Sequence, residues 1–280
     1  MSVAVTAPPT GGSRISRGFA DGLIVAQRNL LGISRVPTVL VFELVQPIMF
    51  VLLFRFVYEN AFVGVLNGID YVQFLMPGIF VQNAIFGSTA TAIGLAEDLK
   101  KGIMDRFRSL PMARSAVLVG RTTADLVKNF LLVVVMVVIG YIVGFRFEEG
   151  LLAALGVVIL VVAVGFTFSW ISATIGLAIK QVEAVQAAIF TLIFPIVFVS
   201  AAFLPVAGMS EVLQPVAEHN PVTYWCTLAR YLSIGPVAVT DTAGNLTYTL
   251  EELLVRSVLW IVVLLAIFVP LSIRLYRKLT

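Results

Sequence analysis

The sequence predicts an all-α membrane protein: six transmembrane helices, an interfacial amphipathic helix ahead of them, and a partly re-entrant outer segment before the last. Three observations predict it. The 280 residues are 59% hydrophobic and only 12% charged, with a mean hydropathy of +1.00, which excludes a water-soluble domain. Apolar stretches of spanning length cover 39–58, 74–96, 126–144, 151–176, 184–204 and 253–272; about 20 residues rising ~1.5 Å each cross a hydrocarbon core of ~30 Å. The basic residues are one-sided. Segments 1–36, 97–128, 179–183 and 274–280 hold fifteen of the nineteen Lys and Arg, against two in 59–73, 145–150 and 205–252. By the positive-inside rule, both termini and the loop after the second span are expected to be cytoplasmic.

Taken in order, residues 1–13 carry two prolines, two glycines and no apolar run, so a disordered cytoplasmic tail is expected rather than a cleaved leader. Residues 14–37 read as an interfacial elbow helix. Phe19, Leu23, Ala26, Leu30 and Ile33 share one stripe, and Arg17, Asp21, Arg28 and Arg35 the opposite one; such a helix lies with its apolar face in the acyl boundary. The transmembrane domain proper is 39–272, with 273–280 a second cytoplasmic tail.

Polar groups inside hydrocarbon are expensive and therefore candidates for function. Gln46 in span one and Gln82, Asn83 and Thr91 in span two are the candidates for a translocation path. Glu43, one turn inside span one, is expected to bond Arg35 or another neighbour, and Arg55 to pair with Glu59 four residues on. Pro47 and Pro195 predict kinks in spans one and five. Gly165, Ser169, Ser172 and Gly176 in span four, and the Gly140–Gly144 spacing closing span three, predict close helix packing.

The loop from Glu97 to Arg121 is strongly patterned. Leu99, Ile103, Phe107 and Leu110 recur at helical spacing before Pro111, with Lys101, Asp105 and Arg108 on the other side. Such a short amphipathic helix fits either the lipid surface or a groove on a soluble partner. The outer segment 205–252 is too long for a turn and too apolar for a soluble loop. Val222–Ile234, with Tyr224, Trp225 and Tyr231, predicts a short helix dipping in after the Asn220–Pro221 turn. Asn220, Pro221 and Arg230 there are candidates for an outer gate or a structural cap.

The run Gly102–Ile–Met–Asp–Arg–Phe–Arg–Ser–Leu–Pro–Met–Ala–Arg114 resembles the signature of ABC-2-type permeases of the daunorubicin-resistance type. Pro47–Ile–Met–Phe–Val–Leu–Leu–Phe54, Gly140–Tyr–Ile–Val–Gly–Phe–Arg–Phe147 and Asn220–Pro–Val–Thr223 with Arg230 are similar to that family's first helix, third-helix exit and motif before the last helix. The resemblance spans Arg28 to Lys278. It implies the permease subunit of an ATP-driven exporter in a bacterial cytoplasmic membrane. It also implies a second permease chain, identical or closely related, and two copies of a separate nucleotide-binding ATPase. The amphipathic loop would be the coupling helix, and Arg106, Phe107, Arg108, Leu110 and Pro111 match the motif there.

The residues themselves fit that reading. No G-x-x-x-x-G-K-[ST] loop is present, so the chain has no such ATP site of its own. The sole histidine, His219, and sole cysteine, Cys226, argue against a metal, haem or other cofactor, and the basic charge is spent on orientation rather than on nucleic acid. The expected cargo is an amphipathic drug or lipid; a polysaccharide is the alternative. An ion-coupled carrier is the further one, disfavoured by the lack of a midplane carboxylate and of an internal repeat.

Overall fold

A computed structural model describes residues 37–58, 68–102, 116–239 and 247–279. The N-terminal tail, the elbow helix up to residue 36, and the whole set Arg106, Phe107, Arg108, Leu110 and Pro111 lie outside the described residues, as does Glu59. Among the described residues the chain forms α-helices and short 3₁₀ turns and no strand. The helices are α1 (Pro37–Tyr58), α2 (Tyr71–Gly87), α3 (Thr89–Lys100), α4 (Ala116–Val143), α5 (Gly150–Ile179), α6 (Val182–Phe198), α7 (Gln214–Glu218), α8 (Pro221–Ile234) and α9 (Leu250–Leu279).

Each expected span has its helix. Four are long and apolar enough to cross a bilayer: Tyr71–Lys100, Leu118–Val143, Gly150–Ile179 and Leu250–Lys278, with Val182–Phe198 a shorter apolar helix. α1 adds 22 residues, opened by Pro37, whose fixed φ suits a first helical position. Three boundaries differ from expectation by six residues or more; α9 runs to Leu279, seven past 272, so most of the expected tail 273–280 is helix. α4 begins ten residues before span three, with an apolar first turn, Ala116–Val119, followed by Arg121, Thr122, Thr123 and Asp125. α6 ends at Phe198, three residues past Pro195, and residues 199–204 pass into turns. Span two is also interrupted: α2 closes at Gly87 and α3 begins at Thr89, a break at a Gly–Ser pair of the kind that bends helices.

α5 is the central post, in contact with α2, α3, α4, α6, α8 and α9. Its small residues admit these neighbours. A Cβ on Gly176 would stand 2.5 Å from the Ala92 carbonyl oxygen of α3, and one on Gly165 would stand 2.5 Å from Asn129 Nδ2 of α4. Three of its hydroxyls bond back within the helix, Thr167 to Ala163 O, Ser169 to Gly165 O and Thr174 to Trp170 O, as an apolar solvent favours, while Ser172 meets Ser88 Oγ at 3.4 Å. A turn at Lys180, with φ of +64°, reverses the chain into α6. By contrast α9 leaves Val255, Leu259, Val262 and Ile267 more than half exposed, a face for lipid.

α8 is the dipping helix, too short to span and packed against α2, α5 and α9. Covered by protein in this way, its depth costs no unpaired backbone. Trp225 is fully buried, edge-on to Phe168 at 6.0 Å, and donates to Ser257 O at 3.2 Å.

Candidate functional site

Between α1, the α2–α3 break and α6 lies a cleft of about 480 Å³, within the size range of small-molecule sites. Glu43 and Gln46 line it from α1, Asn83, Phe86 and Gly87 from α2, Thr89, Ala90 and Ile93 from α3, and Gln186, Ile189 and Phe190 from α6. Six of its eleven lining residues are apolar; the rest are three amides, one carboxylate and the Thr89 hydroxyl. Of the four residues expected to line a path, the structure brings Gln46 and Asn83 into the cleft and sends two elsewhere. Gln82 is buried away from it, because one residue along a helix turns the side chain by ~100°. Thr91 is fully buried and donates to the Asp125 carboxylate of α4.

Rings continue from the cleft toward the opposite end of α1 and α6. Phe86 meets Phe194 at 6.4 Å, Phe194 stacks on Phe198 at 4.0 Å, Phe198 meets Phe203 at 5.0 Å, and Phe203 stacks on Phe54 at 4.9 Å. Phe50 contacts both Phe198 and Phe203. These rings hold α1 against α6 through dispersion and offset stacking.

At the other end of the cleft the contacts are polar. Lys128 of α4, only 4% exposed at its side chain, donates from Nζ to Glu43 Oε1 at 3.0 Å and to the Gly87 carbonyl at 3.0 Å. Glu43 Oε2 is buried without a hydrogen-bond partner among the described residues. Below this, Arg121 of α4 pairs with Asp98 of α3 at 2.8 Å, both mostly buried. Lys101 pairs with Glu97 at 2.8 Å on the surface, and that hydrogen bond raises its ammonium pKa. Arg55 donates to Val143 O, tying the far end of α1 to α4. Sequence reading missed Lys128, Asp125 and Gln186. Lys128 and Asp125 fell at the edge of a loop where charges are ordinary; the signal available was their separation by three residues, which puts both on one face of α4.

The outer candidates form a knot. Asn220 accepts from Val222 N at 2.9 Å as the N-cap of α8, and its Nδ2 donates to Ile196 O and Val199 O at 2.6 Å each. With Pro221 in its first turn, α8 is thus started against the end of α6. Arg230, 2% exposed, donates to Phe74 O at 2.7 Å and Ala202 O at 3.0 Å, with its guanidinium 3.6 Å from the Phe74 ring centroid. Nearby, burial and Tyr224 push the Tyr248 phenol above its ordinary pKa, Arg256 opposing them.

Known proteins have similar sequences over most of this chain. The daunorubicin resistance ABC transporter permease protein DrrB1 of Streptomyces coeruleorubidus is 29% identical over 271 residues, 96% of this chain and 91% of its own. The probable doxorubicin resistance ABC transporter permease protein DrrC of Mycobacterium tuberculosis is 27% identical, covering 85% of this chain and 86% of its own. The putative transport permease ycf38 of Cyanophora paradoxa is 27% identical over 75% of this chain and 72% of its own. The family model for the ABC-2 type transporter matches residues 22–233, from ahead of α1 to the penultimate residue of α8. The match takes in the broken second span, the cleft and the dipping helix alike, and the chain belongs to the ABC-2 type transporter family.

Proposed function

We propose that this chain is the permease of a drug-type exporter, moving an amphipathic molecule outward with work supplied by a separate ATPase subunit. The observation that carries the reading is the cleft, more than half apolar with three amides, one hydroxyl and one carboxylate, and continued by phenylalanine rings. Such a lining suits an amphipathic body better than a polyhydroxylated chain, which needs a dense array of hydrogen-bonding groups along its route. Relatives named for daunorubicin and doxorubicin resistance support the cargo class. Gln46 and Asn83, with Glu43 and Gln186, are the path residues. Asn220, Pro221 and Arg230 hold the outer gate.

The complex is two permease chains with two ATPase subunits in a bacterial cytoplasmic membrane, termini and loop 97–121 inside, and the elbow helix 14–37 on the inner surface. In that loop Phe107 and Leu110 seat as apolar knobs in a groove of the ATPase, Pro111 ends the helix, and Arg106 and Arg108 pair with acids at the rim.

Replacing both Phe107 and Leu110 by Ala tests this. Each knob is worth roughly 1.5–3 kcal/mol when fully buried, and each ~1.4 kcal/mol is one decade in affinity. The double variant is expected to reach the membrane at normal levels, yet lose transport and release the ATPase on purification. Normal export with normal ATPase retention would remove the coupling assignment.

A further inference from the structure

Three polar ties sit one above another along α4, and each reaches a different neighbour. Arg121 holds Asp98 near the end of α3, Asp125 holds Thr91 near its start, and Lys128 holds Glu43 of α1. The first two tie α3 to the first half of α4, and both helices pack on α5. The third is the one ion pair among the described residues that joins α1 to the bundle.

The break above α3 separates this α3–α4 hairpin from α2. At it the Ser88 amide still serves Ala84 O at 3.2 Å, and side chains add to the backbone bonds. Ser88 Oγ donates to Ile85 O and Thr89 Oγ1 to Phe86 O, each at 2.6 Å. The Thr91 amide, which in an unbroken helix would serve Gly87 O, serves Ser88 O instead at 3.1 Å. Gly87 O accepts from Lys128. A lysine therefore stands in for the backbone at the break and grips α1 with the same ammonium.

A buried ion pair is a poor way to stabilise a helix bundle, because desolvation offsets much of the attraction. Its worth lies in geometry and in being breakable. We propose that Lys128 is the positioning residue that passes displacement of the α3–α4 hairpin to α1, so that the wall of the cleft moves when the hairpin moves. This rests on the reading that loop 97–121 receives the push of the ATPase. Arg121 and Asp125 tie α3 to α4, and Glu43 is the handle on α1.

The test is a distance across the cleft. Nitroxides at Met49→Cys and Leu192→Cys, exposed on α1 and α6 and outside the cleft lining, are read by electron–electron resonance in the full complex with its ATPase, with Cys226 replaced by Ser and labelled chains diluted with unlabelled ones. The unmodified relay is expected to shift that distance between the nucleotide-free and the ATP–vanadate-trapped complex. Lys128→Met is expected to abolish the shift and cut transport at least tenfold; Lys128→Arg, which keeps charge and donors, is expected to retain it. Where Lys128→Met does not reach the membrane, Glu43→Gln, which keeps the side chain's shape and removes its charge, is expected to abolish the shift equally. A shift that persists in Lys128→Met or Glu43→Gln, with nucleotide trapped, overturns the relay and leaves the exporter reading intact. Failure of the complex to trap nucleotide overturns both.

Discussion

Arg230 shows how one side chain can organise an end of the molecule. Its guanidinium carries more donors than any other side chain, and here they meet carbonyls of α2 and of the 199–204 turn while its plane covers Phe74. Replacing it by Met keeps much of the volume and removes every donor. Hydrogen bonds from a charged group contribute about 1.5–3 kcal/mol each, so Arg230→Met is expected to lower the thermal midpoint of the detergent-purified chain markedly. Arg230→Lys, with a point charge and no fork, is expected to fall between. Equal midpoints for all three would show that the knot contributes nothing. That Arg230 matters was legible in its place after Asn220; what it binds was not, because its partners are backbone carbonyls, one of them 156 residues away, and these carry no sequence signal.

At the scale of elements, glycines decide which helices approach. A Cβ on Gly78 of α2 would run into the backbone carbonyl of Ala202, whereas one on Gly94 of α3 would meet only the Arg121 side chain. Backbone cannot step aside and a side chain can. Gly78→Ala is therefore expected to destabilise by roughly 1–3 kcal/mol through overpacking, seen as a lower midpoint and lower yield. Gly94→Ala is expected to cost less stability and instead to displace Arg121 from Asp98, loosening the hairpin and weakening transport more than folding. A larger loss of stability from Gly94→Ala than from Gly78→Ala would contradict this. The helices themselves were legible, since hydropathy follows the bilayer. The break at Ser88 was not: Gly87 and Ser88 also fit the small-residue packing that α5 uses, and only the missing backbone bond at Gly87 O tells the two apart.

Over the whole molecule, the chain is built around α5, with α1 and α6 held more lightly at one side and the cleft between them. Hydropathy marked the spans; it could not say which helix faces leave room. Asn83 and Gln82 are adjacent and equally polar, yet one lines the cleft and the other is buried off it, a distinction fixed by how α2 is rotated against α5. Lys128 escaped notice for the converse reason: a lysine near a basic loop looks like topology, and its burial against two other helices is a property of the assembled bundle. The central claim is that this chain provides the route and a separate ATPase the work. The most direct measurement is accumulation of a fluorescent amphipathic cargo in sealed proteoliposomes, with ATP outside, for the chain alone and for the chain with its ATPase subunit. The chain alone is expected to turn over no ATP and accumulate nothing, and the pair to accumulate cargo in proportion to ATP hydrolysed; ATP turnover or uphill accumulation by the chain alone would contradict it.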